Sequence, residues 1–347
     1  MNAQISARID QLRALACLWV FVFHYEHFIA HEYFLPIDTY NPLHILVYNG
    51  YAGVSLFFCL SGFLFAHYYC PKPTLALGAY YAKRLLRILP SFVVLIGIFY
   101  SFLNTEHRGL FKLLSSIFYP DLDIYPQAIG HLWSINRELQ CYALFPFLWL
   151  LNRYLGVKAL ILLAVISLGT VLTWALLTRP IIPYFYGSFG LRFFEFVCGM
   201  VGAVLTTPNR LINKVLPVFV LIYFGLLVGH HLLSWQTPLS YSVLSIAWLC
   251  LNSVLCLIFI ILFIYHTLPV PTLLSQALRK IGETSYSFYL YHFPVIGFFT
   301  HNRQYLSESA PVNFAMILGL SLGIAFISYR YIEKPAQNIK RQIFVYR

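Results

Sequence analysis

Two residues on the first apolar segment have a spacing that suits chemistry inside a membrane. The stretch RALACLWVFVFH, residues 13–24, begins with Arg13 and ends with His24. Eleven residues at 1.5 Å per residue put the imidazole about 16 Å beyond the guanidinium, near the middle of ~30 Å of hydrocarbon. Histidine has an unperturbed pKa of about 6.5, so it can act as a general base near neutral pH. A histidine that only packs between helices is the alternative interpretation.

A pair of arginines in the stretch YYAKRLLRILP forms a second candidate site. Arg84 and Arg87 are three positions apart, so they lie on one face of a helix. Paired guanidinium groups can bind phosphate oxygens in a bidentate manner, which makes a phosphate site one interpretation. Anchoring of the helix at the cytoplasmic surface is the other. Arg13, Arg330 and Lys334 are predicted to lie at the same membrane face.

Acidic side chains are predicted in the outer half of the membrane, where each charge is costly and calls for a partner or a function. The stretch HLWSINRELQ places Trp133 at the interface and Glu138 about one and a half turns inward. Arg137 and Glu138 are adjacent, so they point to different faces and do not neutralise each other. In LRFFEFVCG, Arg192 and Glu195 form either an intrahelical ion pair or part of a substrate path.

A serine and several glycines occupy the second apolar segment, GVSLFFCLSGFLF. Ser61 is predicted at a depth similar to that of His24. Gly53 and Gly62 allow two helix backbones to approach closely. A packing seam and a substrate channel are both consistent with this pattern.

The last two apolar segments carry further polar groups. In IGETSYSFYLYHFP, Tyr286 and the buried imidazole of His292 suit helix packing or an aromatic belt, with a binding role as the alternative. Glu333 lies between Arg330 and Lys334 in SYRYIEKP, which predicts a solvated cap at the cytoplasmic side.

The segments that carry these residues are predicted to cross a membrane. Of the 347 residues, 60% are apolar and 10% are charged, and the mean hydropathy is +0.72, values typical of an integral membrane protein. Apolar windows of about 20 residues fall at 12–30, 46–69, 86–104, 132–151, 159–178, 189–206, 214–233, 241–265, 282–301 and 312–330. We therefore predict an all-α integral membrane protein in which residues 1–347 form a single bundle of about ten transmembrane helices.

The distribution of lysine and arginine predicts that both termini are cytoplasmic. One set of alternating connections carries only Arg108, Lys112, Arg179, Arg192 and Arg303, whereas the other set holds all remaining basic residues except Arg137. An excess of Lys and Arg marks the cytoplasmic side. The formal net charge of +11 is therefore interpreted as a belt that faces anionic membrane lipid, and no nucleic-acid partner is expected.

The cysteines argue against two other classes of site. The seven cysteines lie mostly inside apolar segments, with no CxxC or Cys/His ligand spacing. We therefore expect neither structural disulfides nor a metal site. The first apolar run is about a full span long and has no small-residue cleavage site, so we expect a permanent helix and no cleaved signal peptide.

These motifs, in this order, resemble the acyltransferase family 3 membrane proteins. The resemblance covers nearly the whole chain and rests on the Arg-x10-His pattern of Arg13 and His24, followed by FFCLSGFLF, KRLLRILP, HLWSINRELQCY, RFFEFVCG, SYSFYLYH and YIEKP. Arg137 departs from the family pattern, which usually has an apolar residue there. The SGNH domain that many relatives carry at the C-terminus is not expected here, which leaves open whether a partner protein completes the transfer.

The resemblance implies that an acyl group, usually acetyl from cytoplasmic acetyl-CoA, moves to a hydroxyl of a cell-envelope glycan or lipid-linked sugar at the bacterial inner membrane. Three groups of site residues are predicted by combining the motifs with the depth estimates. They are catalytic residues His24, Arg13 and Glu138; acyl-CoA contacts Arg84, Arg87, Ser61 and Arg330; and substrate contacts Trp133, Glu195, Arg192, Tyr286 and Glu333.

Two alternatives use the same polar path. A transporter or flippase of a lipid-linked or acylated sugar would move its substrate without making a covalent bond. An acyltransferase for a small hydrophobic molecule would share the catalytic centre and differ in its acceptor entrance. The acceptor, the acyl group beyond a preference for acetyl, and the oligomeric state stay open at this level.

Overall fold

The computed structural model describes residues 3–30, 41–103, 127–178, 185–206, 211–234, 243–267 and 269–344. Every regular element in these ranges is helical, which confirms the all-α class. Predictions that involve the connection 105–126, and those for Arg108, Lys112, Arg179, Arg210 and Arg347, fall outside these ranges.

Thirteen α-helices are present in the described ranges. They are α1 (Ala3–Tyr25), α2 (Pro42–Tyr48), α3 (Ala52–Tyr69), α4 (Leu77–Leu103), α5 (Trp133–Leu155), α6 (Val157–Thr178), α7 (Phe189–Leu205), α8 (Ile212–Ser234), α9 (Val243–Tyr265), α10 (Thr272–Glu283), α11 (Ser285–His301), α12 (Ala310–Ser328) and α13 (Lys334–Phe344). Short 3-10 turns occupy Asn49–Tyr51, Gln127–Leu132 and Arg303–Tyr305, and π-helical turns occupy Glu26–Ala30 and Tyr329–Glu333.

Each predicted window overlaps one of the longer helices, and within the described ranges six segments are long and apolar enough to cross a membrane. These are Gln4–Ala30, Pro42–Tyr69, Val157–Thr178, Ile212–Leu232, Ser245–Tyr265 and Ala310–Ile339. The other four windows fall on α4, α5, α7 and α11, the helices that carry most of the predicted polar site residues. Ten spans and cytoplasmic termini stay predictions.

The residue contacts divide the chain into two units. The first contains Met1–Phe23, Leu35–Pro73 and Leu144–Gly282, and the second contains His24–Phe34, Thr74–Ala143 and Glu283–Arg347. The boundaries fall within α1 and α5, so each of these helices contributes one end to each unit.

Close packing of α3 against α7 dominates the first unit. A Cβ atom on Gly62 would lie 1.8 Å from the carbonyl oxygen of Phe196, and one on Gly199 would lie 2.0 Å from that of Cys59. Because no side chain fits at either position, the two backbones can touch. The packing seam predicted for Gly62 is therefore confirmed. All seven cysteines have free thiols, and five of them are buried.

The second unit consists mainly of α4, the start of α5, and α11 to α13. Its two π-helical turns follow α1 and α12 directly. π-helical turns are rare in proteins, and those that do occur are often found at functional sites. Here His24 lies two residues before the first π turn, and Glu333 is the last residue of the second.

Candidate active site

Three histidines from separate parts of the chain meet in the second unit. Nδ1 of His24 lies 2.9 Å from Nε2 of His292. The ring of His131 lies 5.5 Å from that of His292 and nearly perpendicular to it, at 71°. His24 is half-buried, whereas His131 and His292 are buried. Of these three, the sequence predicted a catalytic role only for His24.

Backbone carbonyl groups determine which ring nitrogen of His292 carries a proton. Its Nδ1 lies 2.8 Å from the carbonyl oxygen of Tyr289 and 3.2 Å from that of Phe288. A carbonyl oxygen can only accept, so Nδ1 must donate an N–H. In neutral His292 the other nitrogen, Nε2, is then an acceptor, and Nδ1 of His24 donates to it.

The same reasoning defines the state of His24. When the neutral ring has its proton on Nδ1, its Nε2 carries the lone pair. This is the arrangement that a general base needs, because the basic nitrogen is then the one that is not hydrogen-bonded to His292.

A proline explains how His131 joins the cluster. Pro294 lies inside α11 and has no N–H to donate to the carbonyl of Leu290 one turn earlier. Nε2 of His131 lies 3.2 Å from that carbonyl oxygen and donates to it instead. The ring of Phe293 lies 4.8 Å from both His24 and His131 and so packs against two of the three imidazoles. The sequence did not predict a role for His131. The one available signal was Pro294, because a proline inside a helix leaves the carbonyl four residues earlier in need of another donor.

A second cluster in the same unit brings five predicted site residues together. Arg87 interacts electrostatically with Glu138 and Glu333 and with the tyrosine hydroxyls of Tyr142 and Tyr286. The guanidinium of Arg84 lies 5.7 Å from the ring centre of Tyr142. Tyr142 donates a hydrogen bond to the carboxylate of Glu138. The pair of arginines on α4 therefore lies beside acidic side chains from α5 and from the second π turn.

The position of Glu138 corrects the depth assigned from sequence. The prediction grouped Glu138 with an outer set and Arg84 and Arg87 with the cytoplasmic mouth, and that separation is wrong, because Tyr142 contacts both Glu138 and Arg84. Arg87 is ten residues into α4, about 15 Å from its first residue, so it lies well inside the helix rather than at its end. Arg137 donates instead to Gln140, at 3.3 Å, in agreement with the expectation that Arg137 and Glu138 face different ways.

Glu333 is buried, so the prediction of a solvated cap is wrong. Its carboxylate accepts from the hydroxyl of Ser287 at 2.8 Å and from the side-chain amide of Gln337 at 3.0 Å. The π turn places Glu333 against α11 and α13, which two flanking basic residues in the sequence could not indicate. The hydroxyl oxygen of Ser328 lies 3.4 Å from that of Ser287, and Ser328 donates to the hydroxyl of Ser91 at 3.3 Å.

One face of α5 connects the two clusters. Ser134, Glu138 and Tyr142 follow one another on α5 at spacings of four residues, which keeps them on the same side of the helix, and His131 lies in the 3-10 turn just before α5. The hydroxyl of Ser134 lies 2.6 Å from that of Tyr289 on α11. The rise from His131 to Glu138 is about 10 Å, which is the approximate separation of the two clusters along α5.

The predicted ion pair of α7 is confirmed in the first unit. Nη1 of Arg192 lies 2.8 Å from Oε2 of Glu195, and both side chains have no exposed surface. Ser253 donates to the carboxylate at 2.9 Å, and Arg192 donates to the hydroxyl of Ser55 at 3.2 Å.

The remaining predicted site residues occupy separate places. Arg13, in the first unit, lies 3.7 Å from Asp10. Ser61 is half-buried on α3, beside Gly62. In the second unit, half-buried Trp133 begins α5, and Arg330 is exposed.

The chain was compared with known proteins. The sequence model of a family described as an acyltransferase domain matches residues 6–330. The chain belongs to this family. The O-acetyltransferase OatA of Staphylococcus aureus is 27% identical to it over 368 residues in both strain COL and strain MW2, an alignment that covers 95% of this chain.

The acyltransferase relatives are longer than this chain, which spans 57% of the length of OatA. No solved structure matches the chain. The family membership rests on the sequence match, and the arrangement of its motif residues comes from the geometry described above.

Proposed function

We propose that this protein is a membrane O-acetyltransferase that moves an acetyl group from acetyl-CoA to a hydroxyl of a cell-envelope polysaccharide or lipid-linked sugar. The observation that carries the proposal is the His24–His292 hydrogen bond, which leaves a basic nitrogen on His24. Family membership and the printed name of the OatA relatives support acetyl as the group transferred. We assign the protein to a bacterial inner membrane, with acetyl-CoA supplied from the cytoplasm.

A single base is sufficient for the proposed reaction, because it takes up one proton and later returns it. Nε2 of His24 takes the proton of the acceptor hydroxyl while its oxygen attacks the thioester carbonyl carbon. The new C–O bond forms, the C–S bond breaks, and the leaving thiolate takes the proton back from His24 to give free CoA. An imidazole suits this step because one of its nitrogens can hold a proton while the other accepts and then releases one.

The arginine cluster supplies a binding site of suitable chemistry for the acyl donor. We assign Arg84 to a phosphate of CoA, because a guanidinium group can bind phosphate oxygens in a bidentate manner. Arg87 interacts electrostatically with Glu138 and Glu333, so we assign it to stabilising these two acids. Arg13, Ser61 and Arg330 are proposed as further contacts of the donor path.

The acceptor side is assigned from the positions of polar groups at the start of α5. We propose that Trp133 and Tyr286 contact the acceptor or the donor near the two clusters. Arg192 and Glu195 are fully enclosed and form an ion pair with each other, so we assign them to packing of the first unit in place of the substrate contact expected from sequence.

Loss of the base tests this proposal in cells. A strain that lacks the gene is complemented with the unchanged gene, with His24→Gln, or with the control His301→Gln at the exposed end of α11. We expect O-acetyl signals in the surface polysaccharide with the unchanged and control genes, and a loss of at least about 100-fold with His24→Gln, the scale of general-base catalysis. Equal protein levels in membranes are confirmed by immunoblot.

Two results would argue against the proposal. Full O-acetylation with His24→Gln would remove His24 from the chemistry. If the polysaccharide carries O-acetyl groups in every strain but fails to reach the surface in the deletion strain, that result would instead support a transporter.

A further inference from the structure

We infer that His292 is a positioning residue that selects the tautomer of His24 and stabilises its protonated form, an inference that rests on the proposed function of His24 as a base. The sequence favoured helix packing for His292, and the family match does not assign it this task. The geometry of the histidine cluster points to it.

The contact between the two rings has the geometry of a direct hydrogen bond. The nitrogens are 2.9 Å apart, and the ring planes differ by only 20°. The ring centres lie 5.2 Å apart, so the two rings meet edge to edge in nearly one plane, which places the lone pair of one ring nitrogen in line with the N–H of the other. His24 is thereby held in one orientation by a neutral acceptor.

Both nitrogens of His292 already have a partner within the unit. Nδ1 donates to the backbone of α11, and Nε2 accepts from His24. The side chain has no exposed surface, and the ring of Phe288 lies 5.7 Å away at 14°. A ring so enclosed cannot offer a nitrogen to a substrate, which suits a positioning role and not direct catalysis.

The consequence for the reaction follows from the direction of the hydrogen bond. When Nε2 of His24 gains a proton, the resulting cation keeps its Nδ1–H directed at the lone pair of His292. A hydrogen bond with a charged donor is about twice as strong as a neutral one, so the bond strengthens as charge develops. The same device, a base oriented by a third group, recurs in nucleophile–base systems.

Kinetics of purified full-length protein in detergent test the inference. His292→Phe keeps a ring of similar size and removes the acceptor, and His292→Gln retains an acceptor oxygen. His301→Phe on the same helix is the matched control, because His301 also bonds a carbonyl of α11 but is exposed. We expect kcat to fall about 100-fold in His292→Phe with the KM for acetyl-CoA within twofold. His292→Gln should recover at least a tenth of the original kcat.

A spectroscopic measurement keeps the inference testable even if the acetyl-transfer assay fails. Solid-state NMR of protein labelled with nitrogen-15 histidine reports which ring nitrogen carries the proton, and the spectrum of His24→Gln identifies the His24 signals. We expect an Nδ1–H tautomer for His24 in the unchanged protein and in His292→Gln, and its loss in His292→Phe.

The outcomes separate this inference from the proposed function. If the protein without substitutions transfers no acetyl group but shows the expected tautomers, the proposed acetyltransferase function would be refuted and the positioning role of His292 would not. An unchanged His24 tautomer in His292→Phe, or unchanged kcat in a variant that retains its melting temperature, would refute the positioning role. Equal loss of kcat in the Phe and Gln variants would also refute it, because packing alone would then explain both.

Discussion

The positions of single protons determine how the residues of the histidine cluster can act. In the histidine cluster a backbone carbonyl fixes the proton of His292, and His292 in turn fixes that of His24. In this arrangement the group that orients the base is a second imidazole. The second cluster differs, because there Arg87 faces the two acids Glu138 and Glu333, so charge rather than tautomer determines how its members are held.

Substitution of Arg84 and substitution of Arg87 are expected to have different effects, the first on acetyl-CoA binding and the second on stability. Arg84→Gln should raise the KM and the dissociation constant for acetyl-CoA by about 10- to 100-fold, the loss of a charged hydrogen bond to phosphate, with little change in melting temperature. Arg87→Gln should lower the melting temperature by several degrees, because Glu138 and Glu333 would lose their cationic neighbour. Calorimetric titration and a thermal melt in detergent measure the two effects. If both variants only weakened binding equally, a paired phosphate clamp would replace this division of roles.

At the element scale, prolines inside helices create acceptors that the site uses. Pro294 frees the carbonyl of Leu290, which accepts from His131. Pro146 similarly frees the carbonyl of Tyr142, which accepts from the hydroxyl of Tyr80 at 2.8 Å. In both cases the interruption of one helix fixes a side chain from another segment next to a cluster.

Replacing one of these prolines tests the connection. Pro294→Ala supplies an N–H that competes with His131 for the carbonyl of Leu290, so we expect about tenfold lower kcat with an equal or higher melting temperature. Pro217→Ala in α8 removes a helical proline from the first unit and is the matched control. Unchanged kcat in Pro294→Ala would show that the position of His131 does not depend on the freed carbonyl.

The sequence predicted the elements better than the contacts between them. Hydrophobic windows located the long helices because a membrane span requires a continuous apolar run, and i,i+3 spacing located the Arg192–Glu195 pair because both partners lie on one helix. The amphipathic helix α10 was missed because it is short and contains Arg279 and Lys280.

Contacts between distant segments were not predictable in the same way. The hydrogen bond between His24 and His292 joins residues 268 positions apart, and no local sequence pattern predicts it. Burial of Glu333 depends on the π turn and on Ser287, whereas its neighbours in sequence are both basic and suggested solvent. These contacts could be identified only from the folded structure.

At the scale of the whole molecule, the basic residues are expected to set the orientation in the membrane. The predicted topology places the connection between α3 and α4 in the cytoplasm and that between α11 and α12 outside. Access of acetyl-CoA from the cytoplasm requires this orientation, so the topology is part of the proposed function.

Single cysteines at two exposed positions test the orientation. In a protein with its seven cysteines replaced by serine or alanine, Thr74→Cys lies in the first of these connections and Glu308→Cys in the second. A membrane-impermeant maleimide added to spheroplasts should label Glu308→Cys at once and Thr74→Cys only after permeabilisation. The cysteine-free parent is the control for background labelling. The reverse pattern would mean that the termini lie outside.

The central claim is that His24 is the base in a covalent acetyl transfer. Its most direct measurement uses purified protein, acetyl-CoA with a radiolabelled acetyl group, and saccharide isolated from the surface of the deletion strain. We predict alkali-labile label in the saccharide and a matching amount of free CoA with the unchanged protein, and neither product above background with His24→Gln. Label transferred equally by both proteins, or free CoA released without any labelled saccharide, would contradict the claim.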